Sequence, residues 1–248
     1  MFKVNNGSLR EQKITVQGMS NQIVQSYTYD ALNRLQSATE TPVNSSQSWK
    51  QTFDYDRFGN RRFDAANTTT LPANNGIFNP NIDKTNNRFT IAENYNYDNE
   101  GNLTSNPESQ LFQYDAESRI SQVQNTATAD YYYDGSGKRV KKVIGNQETI
   151  FIYDAFGKLV AEYTLNQTIT TNGTQYLTAD ALGSPRATTN ALGQVASRHD
   201  YLPFGEEISA GTGGRTTTQG YGANDKIRQQ FTGYERDVET CLSSESRL

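Results

Sequence analysis

Few residues of this chain combine side-chain types and spacing that could do chemistry. His199, the single histidine, lies between Arg198 and Asp200, and a histidine beside a carboxylate could act as a base that the acid orients. On a strand, however, adjacent side chains point to opposite faces, and Ser197, which shares the face of His199, has no useful catalytic geometry. The sequence therefore predicts a surface histidine.

Two other segments indicate ligand chemistry only weakly. The glycine-rich stretch Gly211–Thr218 could cradle a phosphate, but such a loop needs Gly-Lys before Ser or Thr, and Arg215 is not that lysine. We interpret the stretch as a flexible insertion between strands. Asp54 and Asp56 could share a strand face and bind a cation, but no third carboxylate or glycine-bounded calcium loop accompanies them. We therefore predict that both aspartates face solvent.

Composition excludes several classes of function. One histidine and the single Cys241 are too few for a Cys/His zinc cage or an intrachain disulfide. The 27 acidic residues outnumber the 23 basic ones, so the chain lacks the positive charge that nucleic acid binding needs. No apolar run is long enough for a membrane span. We expect no catalytic, cofactor-binding or metal-ligating residues, and no enzyme activity.

A short sequence phrase that begins with Tyr-Asp is repeated along the chain. The elements that these repeats form must position any functional side chains. Degenerate forms of the phrase occur at 179–183 and 190–193. The aspartates from Asp98 to Asp154 follow one another at steps of 17, 19 and 20 residues, which fits one β-hairpin per repeat. The six clear copies begin at Tyr29, Tyr55, Tyr97, Tyr114, Tyr133 and Tyr153.

The phrase has the chemistry of a tight turn. Asp-x-x-Gly between alternating segments matches a type I turn whose fourth residue is left-handed and forms a bulge. The aspartate accepts a hydrogen bond from the backbone two residues further on, and glycine tolerates a positive φ. Asn33 replaces the glycine in the first copy and tolerates that conformation well, whereas Ser118 in the fourth copy is less suited to it.

The segments beside the turns alternate as β-strands do. Thr149, Phe151 and Tyr153 are predicted to face one side of a sheet, and Ile150 and Ile152 the other. Each tyrosine is interpreted as packing on a neighbouring strand, and each aspartate as shaping its turn. The predicted fold class is all-β, with successive hairpins that form a curved, spiralling sheet. On the return strand the alternation continues at Leu159, Ala161 and Tyr163.

The repeats resemble the YD-repeat, or Rhs, family, and two blocks resemble its repeat-associated core: Tyr-Leu-Thr-Ala-Asp-Ala-Leu-Gly-Ser-Pro-Arg at 176–186 and Asp-Tyr-Leu-Pro-Phe-Gly-Glu-Glu at 200–207. Phe231–Thr240 is similar to the family's next block. The resemblance implies a secreted or surface bacterial protein of the polymorphic toxin type. Its repeats would form a β-sheet shell, often around a C-terminal toxin that self-cleavage releases. The residues Cys241–Leu248 depart from that pattern. In this sequence the aspartyl self-cleavage segment and the toxin are absent.

These features predict three parts: irregular N-terminal repeats with an insert at 1–94, regular repeats and core segment at 95–207, and a Gly/Thr-rich loop with a truncated core tail at 208–248. The expected function is that of a non-catalytic structural or encapsulating fragment, with the rest of the shell or a toxin domain as partner. One alternative is a repeat module whose aromatic sheet face binds cell-surface carbohydrate or protein. Another is a non-functional gene remnant.

Location and association follow from the same resemblance. The parent family is secreted or at the cell surface, whereas this chain shows no signal peptide and would be cytoplasmic if expressed alone. Both ends look cut, so we expect a truncation within a longer shell gene. Unpaired sheet edges would favour self-association, which sedimentation velocity over a range of concentrations would detect.

Overall fold

The computed structural model describes residues 7–70, 79–157, 159–165, 175–223, 227 and 229–233. Over these residues the chain forms antiparallel strands joined by tight turns, with three short 3-10 helices. The predicted all-β fold is thereby confirmed. No helix in these ranges is both long enough and apolar enough to cross a membrane.

The described strands are numbered in chain order. They are β1 (Glu11–Ile14), β2 (Ile23–Tyr29), β3 (Leu35–Pro42), β4 (Trp49–Tyr55), β5 (Arg61–Phe63), β6 (Ile82–Asp83), β7 (Arg88–Phe89), β8 (Asn96–Tyr97), β9 (Leu103–Ser105), β10 (Leu111–Tyr114), β11 (Ile120–Gln124), β12 (Thr128–Tyr133), β13 (Arg139–Ile144), β14 (Gln147–Tyr153), β15 (Leu159–Leu165), β16 (Gln175–Ala179), β17 (Pro185–Asn190) and β18 (Val195–Arg198). The 3-10 helices are Ile91–Glu93, Thr217–Gln219 and Phe231–Gly233.

The chain divides into two compact units. The first unit combines residues 1–74 and 173–234, and the second combines 75–172 and 235–248. These bounds follow packing rather than sequence blocks, because the segments on either side of residues 75–172 join to form the first unit. The three-part division of the sequence stays a prediction.

The first unit contains a sheet in the order β1-β2-β3-β4-β5 and a smaller sheet in the order β16-β17-β18. All neighbouring strands are antiparallel. Its apolar core is small, because few apolar side chains are available to bury. The core residues are Ala38, Trp49, Leu202 and Ile208, with Tyr27 and Leu35 packed against them.

The second unit contains an eight-stranded sheet from β8 to β15, in which every strand pairs with its neighbours along the chain, and the separate pair β6-β7. One face of the sheet supplies the core, so a strand contributes only every second residue to it. In β12, Ala129 and Tyr131 are buried, whereas Tyr132, the next residue, is 47% exposed. The core residues are Leu103, Phe112, Val123, Ala129 and Tyr131.

The predicted turn chemistry is confirmed. In the first copy, Asp30 Oδ1 accepts hydrogen bonds from the N–H groups of Leu32 and Arg34, both at 2.9 Å. The strand register shifts next to the turn, for example between Gln113 and Tyr114, which directly precede Asp115, as a bulge requires. The third residue after the Asp or Asn has a positive φ in every copy: Asn33, Gly59, Gly101, Ser118, Gly137, Gly157, Gly183 and Gly193. Even the less suited serine takes this conformation.

The predicted alternation of faces is also present. In β14, Thr149 and Phe151 are buried, whereas Ile152 is exposed. Tyr163 of β15 pairs with Ile150, so it lies on the face of Ile152 rather than that of Phe151. Strand β15 forms one edge of its sheet, and most of its residues are exposed.

The turn at Gly157 gives a direct test of the bulge geometry. Its φ is 82°, a region that a β-branched residue avoids, so Gly157→Val should lower the free energy of unfolding by at least about 1 kcal/mol. Urea denaturation would measure the loss. The matched control is Gly135→Val, because Gly135 has no positive φ and a Cβ there meets nothing within 4 Å. Equal losses in the two variants would contradict the turn assignment.

Candidate functional site

The tyrosines of the phrases do more than pack, because their hydroxyl groups join neighbouring hairpins. Tyr114 donates a hydrogen bond to the carbonyl oxygen of Leu103 at 2.8 Å, and Tyr133 donates one to Ile120 at 2.8 Å. Each acceptor lies five residues after the aspartate of the preceding phrase. The same bond joins two further pairs, Tyr55 with Leu35 and Tyr153 with Arg139. Sequence reasoning assigned these tyrosines to packing and missed the bond.

Burial keeps the Tyr114 hydroxyl in its donor form. It raises the pKa of Tyr114 to about 12, with smaller contributions from Asp98 and Tyr97, and burial likewise raises the pKa of Tyr55. A phenol with a pKa of about 12 is protonated at every physiological pH and can always donate. The hydrogen bond of Tyr114 is therefore insensitive to pH near neutrality.

A basic residue four positions after the aspartate covers the ring of the next tyrosine. The guanidinium of Arg119 lies 4.9 Å from the ring centre of Tyr133, and its Nε binds its own turn aspartate, Asp115, at 2.7 Å. A cation over an aromatic face is attracted by the ring quadrupole. The recurrence of Arg or Lys at this position was a readable signal that the sequence reasoning did not use. The equivalent contacts are Arg34 over Tyr55 and Lys138 over Tyr153.

A network of buried charges lies in the first unit. Arg215 is fully buried and donates to both carboxylate oxygens of the equally buried Glu40, at 2.7 and 2.9 Å. Its Nε donates to Asp200 at 2.7 Å, and the same carboxylate binds the Tyr221 hydroxyl and the Arg186 guanidinium. The buried charges of Glu40, Asp200 and Arg215, together with the partly exposed Arg186, therefore balance one another, as buried charges must.

Two groups of this network, Arg215 and Tyr221, keep their protons near neutral pH. Burial alone would lower the pKa of Arg215, but hydrogen bonds and charges from Glu40 and Asp200 outweigh it and raise the pKa. Burial, followed by the charge of Asp200, raises the pKa of Tyr221 to about 12. Proton-transfer catalysis needs a group that titrates near the working pH, and neither group does. The network is suited to holding chain segments together.

His199 is buried, so the prediction of a surface histidine was wrong. It is only 3% exposed, its Nδ1 lies 2.8 Å from Glu207 Oε1, and its Nε2 lies 3.1 Å from Ser197 Oγ. The loop after β18 folds back and pairs Tyr201 with Glu207, which brings the carboxylate to the imidazole. The sequence places Glu207 eight residues away, and no local pattern indicates this contact.

The order serine, histidine, glutamate is that of a hydrolase, but the surroundings differ from those of an active site. Ser197 is fully buried, and its Oγ shares a 2.6 Å hydrogen bond with Thr188 Oγ1 on the neighbouring strand. A nucleophile must contact its substrate, which a fully buried hydroxyl does not do. These hydrogen bonds satisfy polar groups that β17 and β18 bury.

The interpretation of Gly211–Thr218 as a flexible insertion was wrong, because buried ion pairs hold the stretch in place. Arg215, at its centre, makes the buried ion pairs described above. Gly213 has a φ of 61°, and a Cβ at this position would collide with the Glu40 carboxylate, so glycine is required for the close approach. A short 3-10 helix at Thr217–Gln219 overlaps the end of the stretch, and Thr216 caps it.

The turn aspartates remain at their separate turns. Asp54 and Asp56 are exposed, as predicted. A hydrogen bond from the Asn60 side chain is the main cause that lowers the pKa of Asp56, and one from Ser136 does the same for Asp134. Among the described residues, no group of three or more His, Cys, Asp or Glu side chains is placed to hold a metal ion. Cys241, like residues 234–240 of the core-like block, lies outside the described residues.

The sequence is similar to part of a known nuclease. It is 26% identical over 215 residues to the tRNA3(Ser)-specific nuclease WapA of Bacillus spizizenii, an alignment that covers 77% of this chain and 9% of that protein. No protein-family model matches the chain. Because the chain spans about a tenth of this relative, the similarity concerns one segment of it.

The fold occurs in part of a Tc toxin. The Photorhabdus luminescens Tc holotoxin pore with the mutation TccC3-D651A aligns with a TM-score of 0.59 and 17% identity, over 89% of this chain and 13% of that chain. The crystal structure of TcdB2-TccC3-Cdc42 aligns with a TM-score of 0.46 and 14% identity, over 96% of this chain and 12% of that chain. The first alignment shows a common fold.

The tyrosine bond can be tested by removing one oxygen atom. Tyr133→Phe keeps the ring but leaves the Ile120 carbonyl without its donor, and should lower the free energy of unfolding by about 0.5–1.5 kcal/mol. Tyr132→Phe is the matched control, because that side chain is 47% exposed on the other face. Chemical denaturation would measure both variants, and indistinguishable midpoints would contradict a stabilising role for the hydroxyl.

The buried network predicts a larger effect at Arg215. Arg215→Met removes the cation between Glu40 and Asp200 and should cost about 3–5 kcal/mol of unfolding free energy, because the buried Glu40 loses its ion pair and Asp200 keeps only the one with Arg186. Adding Glu40→Gln to this variant should recover part of the loss. Arg57→Met, at an exposed arginine, serves as the control with an effect within about 0.5 kcal/mol. Thermal and urea unfolding would detect the difference, and a stable Arg215→Met protein would contradict the assignment.

Proposed function

We propose that this chain is a non-catalytic structural segment of an Rhs-type, toxin-associated repeat protein. The observation that supports the proposal most directly is the repeated tyrosine bond, because it uses the polar groups of the repeat to hold adjacent backbones together. The side chains of the turn aspartates likewise accept hydrogen bonds from backbone N–H groups two residues further on in the same turn. Groups that could do chemistry are thus engaged in structure.

In a longer parent protein the segment would form part of a wall that encloses a toxin domain. The similarity to WapA and the fold in common with the Tc toxin support this role. The parent would be secreted or at the cell surface, and the partners would be the adjoining repeats or the enclosed toxin. The nuclease activity of WapA would then belong to another region of such a parent.

A direct assay tests the non-catalytic part of the proposal. The purified chain should leave total tRNA intact and should not hydrolyse p-nitrophenyl acetate above the buffer rate. Ser197→Ala is the matched control, since Ser197 and His199 form the hydrolase-like pair described above. Turnover that this variant abolishes, or tRNA cleavage that tracks the purified protein, would overturn the proposal.

Hydrogen exchange tests the structural part. If the hairpins act as one wall, the amides of β10 to β14 should exchange together through cooperative unfolding. Tyr133→Phe should then accelerate exchange in β11 and β12 to the same extent, because the bond joins those two strands. Independent exchange of each hairpin, with no effect of the variant on β11, would contradict a wall.

A further inference from the structure

The first unit has a cleft that the structural role does not use. Its volume is about 1060 Å³, at or just above the upper end of the range for pockets that hold small molecules, roughly 300–1,000 Å³. Three parts of the chain line it: residues 17–21, the β3–β4 connection from Pro42 to Ser48, and the glycine-rich stretch from Gly211 to Gln219. Val195 and Arg198 of β18 complete the lining.

Neutral polar side chains dominate the walls of the cleft. Hydroxyl and amide groups can both donate and accept hydrogen bonds, which suits a ligand that carries many hydroxyl groups. Apolar side chains are few, and among the described residues no aromatic or acidic side chain lines the cleft. The polar walls include Gln17, Ser20, Asn21, Ser48, Thr216 and Thr218.

Arg198 supplies the charge of the cleft. It is the one charged side chain among the described lining residues. Its Nε donates to the Gln219 carbonyl at 3.1 Å, which fixes the guanidinium, and no carboxylate in the described ranges pairs with its two terminal amino groups. This differs from Arg215 and Arg186, whose charges carboxylates neutralise.

The glycine-rich wall adds main-chain donors. Gly213 and Gly214 have φ values of 61° and 85°, and successive residues of this kind expose their N–H groups. Neither N–H group donates a hydrogen bond within the part of the chain that the structure describes, although the flanking Thr212 and Arg215 N–H groups do. The cleft therefore has an excess of donors around a single positive charge.

We propose that this cleft binds an acidic saccharide, with the sugar carboxylate on the guanidinium of Arg198 and the sugar hydroxyls along the polar walls. One arginine matches the single charge and planar shape of a carboxylate. A phosphate would bring more charge than one arginine balances. A peptide would need pockets for apolar side chains, and the lining offers only Met19, Pro42 and Val195. The proposal adds a ligand to the structural role and does not depend on it.

Calorimetric titration of the full chain with 3′-sialyllactose and with lactose tests the proposal, because the acidic residue is the main difference between these probes. We expect saturable 1:1 binding of sialyllactose and at least tenfold weaker binding of lactose. Arg198→Met should weaken sialyllactose binding at least tenfold and leave lactose unchanged, whereas Arg198→Lys should retain part of the affinity. Arg57→Met, at an exposed arginine outside the lining, should bind as the unchanged chain does.

A second variant separates lost contacts from lost folding. Thr218→Val removes a lining hydroxyl and should weaken both sugars a few-fold, with an unchanged circular dichroism spectrum. Equal affinity for the two sugars, no binding of either at millimolar concentration, or full binding by Arg198→Met would overturn the proposal. Tighter binding of a Gly-Ser tetrapeptide than of sialyllactose would also overturn it and indicate a polypeptide site.

Discussion

The hydrogen bond from the tyrosine of one phrase to the carbonyl at the start of the neighbouring strand fixes how successive hairpins are arranged. It recurs at the same place in successive hairpins, with oxygen to oxygen distances of 2.8–2.9 Å. Because donor and acceptor belong to adjacent phrases, the bond fixes each turn relative to the one before. The degenerate phrase at 179–183 has Ala179 in the place of the tyrosine, and Ala179 ends β16, which belongs to a different sheet from β15 among the described strands.

Polar interactions also provide stability that a larger apolar core would provide in other proteins. Only 34% of the residues are hydrophobic, and each unit buries a narrow apolar layer. The first unit adds the Glu40–Arg215–Asp200 network, in which residues 175 positions apart in sequence meet. Such a network is costly to break, because the loss of one partner leaves a buried charge. It joins the N-terminal sheet to the loop that follows β18.

Local features of this fold could be predicted from sequence, and long-range ones could not. The turns at Asp30 and Gly157 and the faces of β14 depend on residues a few positions apart, so composition and spacing determine them. His199 and Arg215 were misjudged because their partners, Glu207 and Glu40, are reached only through the folded chain. A lone histidine and an arginine in a glycine-rich stretch are usually exposed, and tertiary contacts bury both of them here. The cleft around Arg198 likewise joins four separate segments.

The nearest-neighbour character of the tyrosine bond explains how a short segment can have its own cores. In repeat architectures, the free energy of unfolding is approximately the sum of the stabilities of the single repeats and of the interfaces between adjacent repeats. The number of repeats can therefore vary while the contacts within and between the remaining repeats stay the same. This chain covers 9% of WapA and 13% of the aligned Tc toxin chain, yet each of its units buries an apolar cluster. In the first unit, the buried charge network and the apolar core both join residues distant in sequence, since Ala38 and Trp49 pack with Leu202 and Ile208. Extension or loss of hairpins at β15 would therefore leave the first unit's network in place, whereas any change that separated Glu40 from Arg215 would disrupt it.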